Sequence, residues 1–276
     1  MSSASADRPI SVFDSGIGGL TVLAALRAEL PHERFFYFSD AGNAPYGERG
    51  DAFVIARSRA VARALIEKHG TKALVVACNT ATAAAIAQLR ADWPGLPLIG
   101  VEPALKPAAA ATRTGHVGVL ATRGTLGSAK FRALYDSLTG LAQFHLIACD
   151  GLAGAIERND AAQIDALAAR YLHALGPLGM HAGQIDTLVL GCTHYPLAAA
   201  TLRRHAGPEI RFIDTGAPVA QHTHRLLAAR GALRDGPGAS VVLECSGAPE
   251  TLQAAAARCL NLDMQARQPA PSIGLP

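Results

Sequence analysis

The 276-residue chain has no C-x-x-C pair, no block of Lys and Arg, and no apolar run close to the roughly 20 residues that span a bilayer. Each absence removes a class of function. The five cysteines, Cys78, Cys149, Cys192, Cys245 and Cys259, are odd in number and widely spaced. That argues against a disulfide framework, a structural zinc site or a dithiol redox motif. Lys and Arg number 25 against 22 Asp and Glu, a net charge of +3, and the basic residues are scattered. No nucleic-acid surface is implied. The first nine residues are small and polar and lack the charged-then-apolar pattern of a secretory signal. No membrane partner is expected, and a reducing cytoplasm fits, where thiols stay free for chemistry. Only 17% of the residues are charged and 50% are hydrophobic, enough for a real core in one large domain or two modest ones.

What the chain does have is alternation. Short apolar runs at residues 9–13, 34–38, 73–77 and 98–101 are interleaved with alanine-rich helical stretches at 20–30, 52–69 and 81–90. The pattern restarts at 115–120 and continues through 144–148, 187–190 and 211–213. Runs that are apolar throughout suit parallel strands covered by helices on both faces, so the predicted class is α/β. The polar stretch 112–115 marks a seam between two halves. Another strand and helix follow at 241–245 and 250–259, and the Pro-rich residues 265–276 read as a disordered tail. There is also an internal echo. Ala73-Leu-Val-Val-Ala-Cys78-Asn-Thr-Ala-Thr82 and Thr187-Leu-Val-Leu-Gly-Cys192-Thr-His-Tyr195 each run from an apolar strand to a cysteine and then to polar residues. Two similar parallel-sheet halves, facing each other across a central cleft with one such loop from each, would explain it.

Ligands of open parallel sheets bind beyond the carboxyl ends of the strands. Cys78 and Cys192 both fall there, each just before a predicted helix. A helix N-terminus binds carboxylates and lowers a thiol's pKa from about 8.5 toward neutrality. A buried core role is the commoner fate of a cysteine, and Cys149, Cys245 and Cys259 are assigned to it. Asp14-Ser-Gly-Ile-Gly-Gly-Leu20 opens a helix after the first strand. Its G-x-G-G spacing is not the dinucleotide fingerprint. The glycines allow close backbone approach to a ligand, and Asp14 and Ser15 serve either as a helix cap or as ligands. Ala44-Pro-Tyr-Gly47 is a turn whose N–H groups could meet a carboxylate, and Gly124-Thr-Leu-Gly-Ser128 opens a helix in the second half. His194, two residues beyond Cys192, is placed to exchange a proton with a thiol. Glu157, alone, is an ordinary helical carboxylate.

Taken together these loops resemble the cofactor-independent glutamate racemases of the aspartate/glutamate racemase superfamily. The matching pieces are the Asp14 turn, Asp40-Ala-Gly-Asn-Ala-Pro-Tyr-Gly47, the Cys78 loop, Ala121-Thr-Arg-Gly-Thr125 and the Cys192 loop, in order over most of the chain. The resemblance implies interconversion of L- and D-glutamate without metal or cofactor, supplying D-glutamate for peptidoglycan. Cys78 and Cys192 would exchange the α-proton from opposite faces, the first acting on D-glutamate and the second on L-glutamate. Asp14 would assist Cys78, and His194 with Glu157 would assist Cys192. Substrate-binding positions would be Asp14, Ser15, Pro45, Tyr46, Gly47, Asn79, Thr80, Thr125, Thr193 and His194. Thr82 and His194 match the glutamate rather than the aspartate type. The resemblance also implies a homodimer of two-domain chains, with residues 1–99 plus 212–276 in the first domain and 100–211 in the second. One stretch departs from the family. Cys149-Asp-Gly-Leu-Ala-Gly-Ala-Ile-Glu157 has Asp150, Gly151 and Gly154 where prolines and larger apolar residues are usual, which loosens the match at Glu157. No extended N-terminal tail of the kind tied to activation by a cell-wall precursor is evident, so no such dependence is expected. Relatives acting on aspartate or hydantoins, a related decarboxylase, a binding protein built on the same cleft and a regulator that contacts a topoisomerase are the alternatives.

Overall fold

The computed structural model describes residues 6–236, 240–261 and 265–268. The chain begins with β1 (Ile10–Asp14), α1 (Leu20–Glu29), β2 (Arg34–Ser39), α2 (Asp51–His69), β3 (Ala73–Val76), α3 (Asn79–Asp92) and β4 (Leu98–Gly100). Then come α4 (Leu105–Ala111), β5 (His116–Ala121), α5 (Arg123–Leu126), α6 (Ala129–Asp136), β6 (Gln143–Ala148), α7 (Leu152–Glu157) and α8 (Ala161–Leu175). The rest is β7 (Thr187–Gly191), α9 (Ala199–Ala206), β8 (Arg211–Ile213), α10 (Gly216–Ala229), β9 (Ser240–Cys245), α11 (Pro249–Leu260) and β10 (Ala266–Arg267).

The strands form two sheets, both wholly parallel. The first runs β10-β9-β2-β1-β3-β4 and the second β6-β5-β7-β8. The two share a core order. Strands β2-β1-β3-β4 of the first correspond, place for place, to β6-β5-β7-β8 of the second. Cys78 therefore follows the same strand in its sheet as Cys192 does in its own, which gives the sequence echo a structural basis. The central strand of each sheet, β1 or β5, has its next strand on one side and the following one on the other. Such a reversal of winding opens a crevice at the carboxyl ends.

Alternation along each strand fills two layers of core. Ile10 and Val12 pack with Leu20, Leu23 and Leu26 of α1 and with Leu252 of α11. Phe13, pointing the opposite way from Val12, packs with Phe36, Leu65, Leu74 and Val76 on the other face. Removing side chains of this size from water contributes about 1.5–3 kcal/mol each, so the sheets are a firm base for the loops above them. The second sheet is covered likewise, by Leu152, Leu172 and Leu202 on one face and by Leu105 and Phe131 on the other.

Three expectations need correction. The helix expected directly after Cys192 begins only at Ala199, after a 3₁₀ turn over Tyr195–Ala198 with Pro196 in its first turn. Residues 265–276 are not wholly a tail. Ala266 and Arg267 pair with Leu243 and Glu244 of β9, and the Arg267 guanidinium donates to Glu244 across that pair (2.8 Å); residues 269–276 lie outside the described residues. β8 pairs entirely with β7, so the return to the first sheet follows Ile213 rather than residue 211. Among the described residues no helix is long and apolar enough to cross a membrane.

Candidate active site

A cavity of about 220 Å³ lies between the carboxyl ends of the two sheets. Each wall comes from a loop that leaves a strand. Ser15 follows β1; Ala41, Ala44, Pro45 and Tyr46 follow β2; Cys78, Asn79 and Thr80 follow β3. From the second half come Thr122 after β5, Ala153, Gly154, Glu157 and Arg158 after β6, and Cys192, Thr193 and His194 after β7. The volume is below the 300–1,000 Å³ usual for drug-sized ligands and suits a small metabolite.

Cys78 and Cys192, 5% and 6% exposed, face this cavity from opposite sheets. Cys78 caps α3, its sulfur accepting from the Ala81 N–H (3.4 Å) and meeting the Ser15 hydroxyl (3.5 Å). The expected lowering of its pKa is overturned. Burial pushes the Cys78 thiol well up, and the nearby Asp14 carboxylate adds to the rise; the Ala81 and Ser15 hydrogen bonds oppose them and are outweighed. Cys78 therefore rests as a thiol, ready to give a proton rather than take one.

Asp14 does not line the cavity. It is fully buried beneath Ser15, whose N–H and hydroxyl both donate to its Oδ1 (2.6 and 3.2 Å). Thr193 of the second half donates to Oδ2 (3.1 Å). Burial raises the Asp14 pKa, with His194 opposing and Glu157 adding. Ser15 thus stands between Asp14 and Cys78, and any help from Asp14 passes through that hydroxyl.

On the other wall, His194 Nδ1 lies 3.8 Å from the Cys192 sulfur and Nε2 lies 2.7 Å from Glu157 Oε2. Burial favours a neutral imidazole. The hydrogen bonds and charges of Cys192 and Glu157 nevertheless hold the His194 pKa well above the ordinary histidine value. Cys192 therefore has a cation against it and Cys78 does not. The same Glu157 Oε2 accepts from the Ile17 N–H (3.0 Å), which ties α7 of the second half to the glycine turn of the first. That turn explains its own glycines. A β-carbon at Gly16 would stand 2.2 Å from Glu157 Oε2, and one at Gly18 would stand 2.3 Å from His194 Nδ1. The close approach these glycines allow is to two side chains of the opposite half rather than to a ligand. Gly16→Ala should displace Glu157 and lower kcat/KM by about tenfold or more, measured in steady state, since small misplacements of a catalytic group cost up to about a hundredfold. Unaltered kinetics would show that Glu157 needs no such seat.

Asn79 is buried, and neither its amide oxygen nor its amide nitrogen has a partner among the described residues. Unsatisfied polar atoms on a cavity wall are what an incoming ligand would complete. Thr80 and Thr122 bridge the halves through their hydroxyls (3.0 Å). Three predicted positions lie one step back. Thr125 accepts from the Thr122 hydroxyl (2.9 Å) and supports it from behind, and Gly47 lies against Thr122, where a β-carbon would be 2.8 Å from it. Thr82 is turned away, donating to the Val76 carbonyl and accepting from the Val101 N–H, both at 3.0 Å, so it touches no ligand.

Sequence reasoning did not single out Asp40, Arg57 and Ser246. Asp40 is fully buried at the end of β2. It accepts from the Tyr46 hydroxyl (2.6 Å), from Arg57 Nε and Nη2 (3.1 and 2.8 Å) and from the Ser246 hydroxyl (2.7 Å). This hub holds the turn that carries Pro45 and Tyr46. The one signal for it was Asp40 itself, at a strand end in the matched motif. Arg57→Leu leaves the Asp40 carboxylate buried and less compensated, at about 3–5 kcal/mol. The melting temperature should fall by roughly 10 °C in a thermal scan. A shift within about 2 °C would show the hub to be dispensable.

Two parallel-sheet α/β halves, related strand for strand and closing on one small cavity with a buried thiol on each side, form the frame of an enzyme that inverts a carbon centre. The chain belongs to the Asp/Glu/Hydantoin racemase family, matched over residues 21–223, and is an isomerase. A glutamate racemase of Stutzerimonas stutzeri (strain A1501) is 47% identical over 244 residues, 88% of this chain and 90% of its own. A glutamate racemase isoform from Bacillus anthracis superposes with a TM-score of 0.83 at 30% identity, covering 96% of this chain and 98% of that one. Glutamate racemase from Francisella tularensis, solved in complex with D-glutamate, has a TM-score of 0.81 at 26% identity, with 98% and 99% covered.

Proposed function

We propose that the chain interconverts L- and D-glutamate by proton transfer between two thiols, Cys78 and Cys192. The observation that carries this is the placement of two buried cysteines, from corresponding loops of the two sheets, on one cavity. Racemisation needs a base on one face of Cα and an acid on the other, and the pair must also run in reverse. Two like groups meet that requirement. The local charges set the starting state. For L-glutamate, Cys192, beside the protonated His194, is the base that removes the α-proton. Cys78, held as a thiol, gives its proton to the opposite face. D-glutamate leaves, and Cys78 is now the thiolate and Cys192 the thiol, the state that acts on D-glutamate. Asn79, Thr80, Ser15 and Thr193 supply fixed dipoles for the α-carboxylate and ammonium as charge builds at Cα. The turn at Pro45 and Tyr46 holds the side-chain carboxylate, with Gly47 behind it against Thr122. Asp14 acts on Cys78 through Ser15, and Glu157 on Cys192 through His194.

The work of such an enzyme is to supply D-glutamate for peptidoglycan in the cytoplasm, as a homodimer. The test is incubation of the purified protein with L-glutamate in D2O with a chelator present. Proton NMR should show the Cα–H signal disappearing while circular dichroism decays to zero. Aspartate and hydantoins in parallel identify the substrate class. Turnover of either one with glutamate inert would overturn the choice of glutamate.

A further inference from the structure

The cavity holds few positive charges for a ligand with two carboxylates. Its walls carry Glu157, with Asp14 buried just beneath. The cation deep in the site, His194, is already engaged by Glu157 and Cys192. Among the described residues that line the cavity, one guanidinium and no ammonium is present, and the guanidinium belongs to Arg158. Arg158 ends α7 at the rim and is exposed. Its Nη2 donates to Gln163 Oε1 (2.7 Å). Its Nη1 lies over Gly154, where a β-carbon would stand 3.2 Å away. The two residues are linked. Gly154 carries no side chain, which leaves the space the guanidinium occupies. Nearby charges do not duplicate it. Arg123 is tied to Asp150, and Glu48 accepts from the Gly151 N–H (3.3 Å).

We propose that Arg158 is a specificity-determining residue, the rim cation that draws a dicarboxylate into the cavity and favours it over amino acids with neutral side chains. The proposal rests on the glutamate reading. A charged mouth on a low-dielectric cleft raises the local concentration of an oppositely charged substrate, and added salt screens the effect. Arg158 touches neither thiol's hydrogen-bond chain, so its removal should act on KM and leave kcat in place.

The experiment measures kcat and KM for both glutamate enantiomers in Arg158→Gln, Arg158→Lys and Arg158→Glu, at low salt and at 0.5 M KCl. KM should rise about 5–10-fold in Arg158→Gln and further in Arg158→Glu, with kcat within about twofold. Arg158→Lys should restore most of the loss, and the gap should narrow at high salt as the screening length shrinks to a few ångströms. An unchanged KM, a salt-independent effect or a fall in kcat alone would overturn the proposal. Calorimetry with glutarate, a five-carbon dianion that cannot racemise, separates this from the reaction assignment. If the unsubstituted chain fails to turn over glutamate, the glutamate reading falls. Weaker glutarate binding in Arg158→Gln would still support the rim cation, and equal binding would remove it.

Discussion

Replacing Cys78 or Cys192 with alanine should each cut glutamate inversion by at least about a thousandfold, near the upper range for loss of a general acid or base. Both losses should be comparable, because inversion needs both faces. The equilibrium constant of a racemisation is one by symmetry, so kcat/KM must fall equally in the two directions in either variant. The difference between the variants lies in exchange. Cys78→Ala retains the cysteine beside His194 and should still wash the α-proton of L-glutamate into D2O without producing D-glutamate. Cys192→Ala loses the thiol beside the cation and should exchange L-glutamate far more slowly. Proton NMR reads exchange, circular dichroism reads inversion, and far-ultraviolet dichroism confirms the fold. Either variant keeping more than about a tenth of wild-type inversion would end the two-thiol proposal.

The two cysteines were legible in the sequence for a physical reason. A strand end followed by polar residues has few structural uses, and the same pattern appeared twice. The alternation of strands was legible on the same grounds, and the matching strand orders of the two sheets account for the echo. What the sequence hid was anything decided by burial or by contacts between distant segments. A helix N-terminus argues for a lowered thiol pKa, and at Cys78 that influence is present in the Ala81 hydrogen bond. Burial and Asp14 exceed it, and neither can be weighed without the packing. Arg57 sits in a helix rich in charged residues, and only the fold brings it against Asp40. In sequence the glycine turn resembles a ligand cradle, because the side chains that fill its space, Glu157 and His194, lie well over a hundred residues away. Glu157 sits in the stretch that matched the family least well, yet it reaches His194. A short helix can carry an unusual sequence and still place its last carboxylate.

His194 and Glu157 make the second large prediction, and its sign follows from the direction of one shift. Cys192 and Glu157 hold the proton on His194 to higher pH than an ordinary histidine would keep it. The proposed mechanism needs that proton, because it makes His194 the cation that faces Cys192 when Cys192 acts as the base. As pH rises through the raised pKa the imidazole becomes neutral, and kcat/KM should fall along an alkaline limb. Glu157→Gln removes one of the partners that raise the pKa, so the limb should move to lower pH, with a loss of about tenfold or more at neutral pH. His194→Asn removes the titrating group. Its kcat/KM should be lower by about a hundredfold or more, and the limb should no longer depend on residue 157. Stability carries the same sign. A histidine whose folded pKa is raised contributes stability in full below its unfolded value of about 6.5, and loses it as pH climbs through the folded value. The melting temperatures of wild type and Glu157→Gln should therefore differ most below about pH 6.5 and converge as the pH rises. An alkaline limb that stays in place in Glu157→Gln, or moves upward, would show that His194 does not hold the proton the mechanism needs, and the cation beside Cys192 would have to be sought elsewhere.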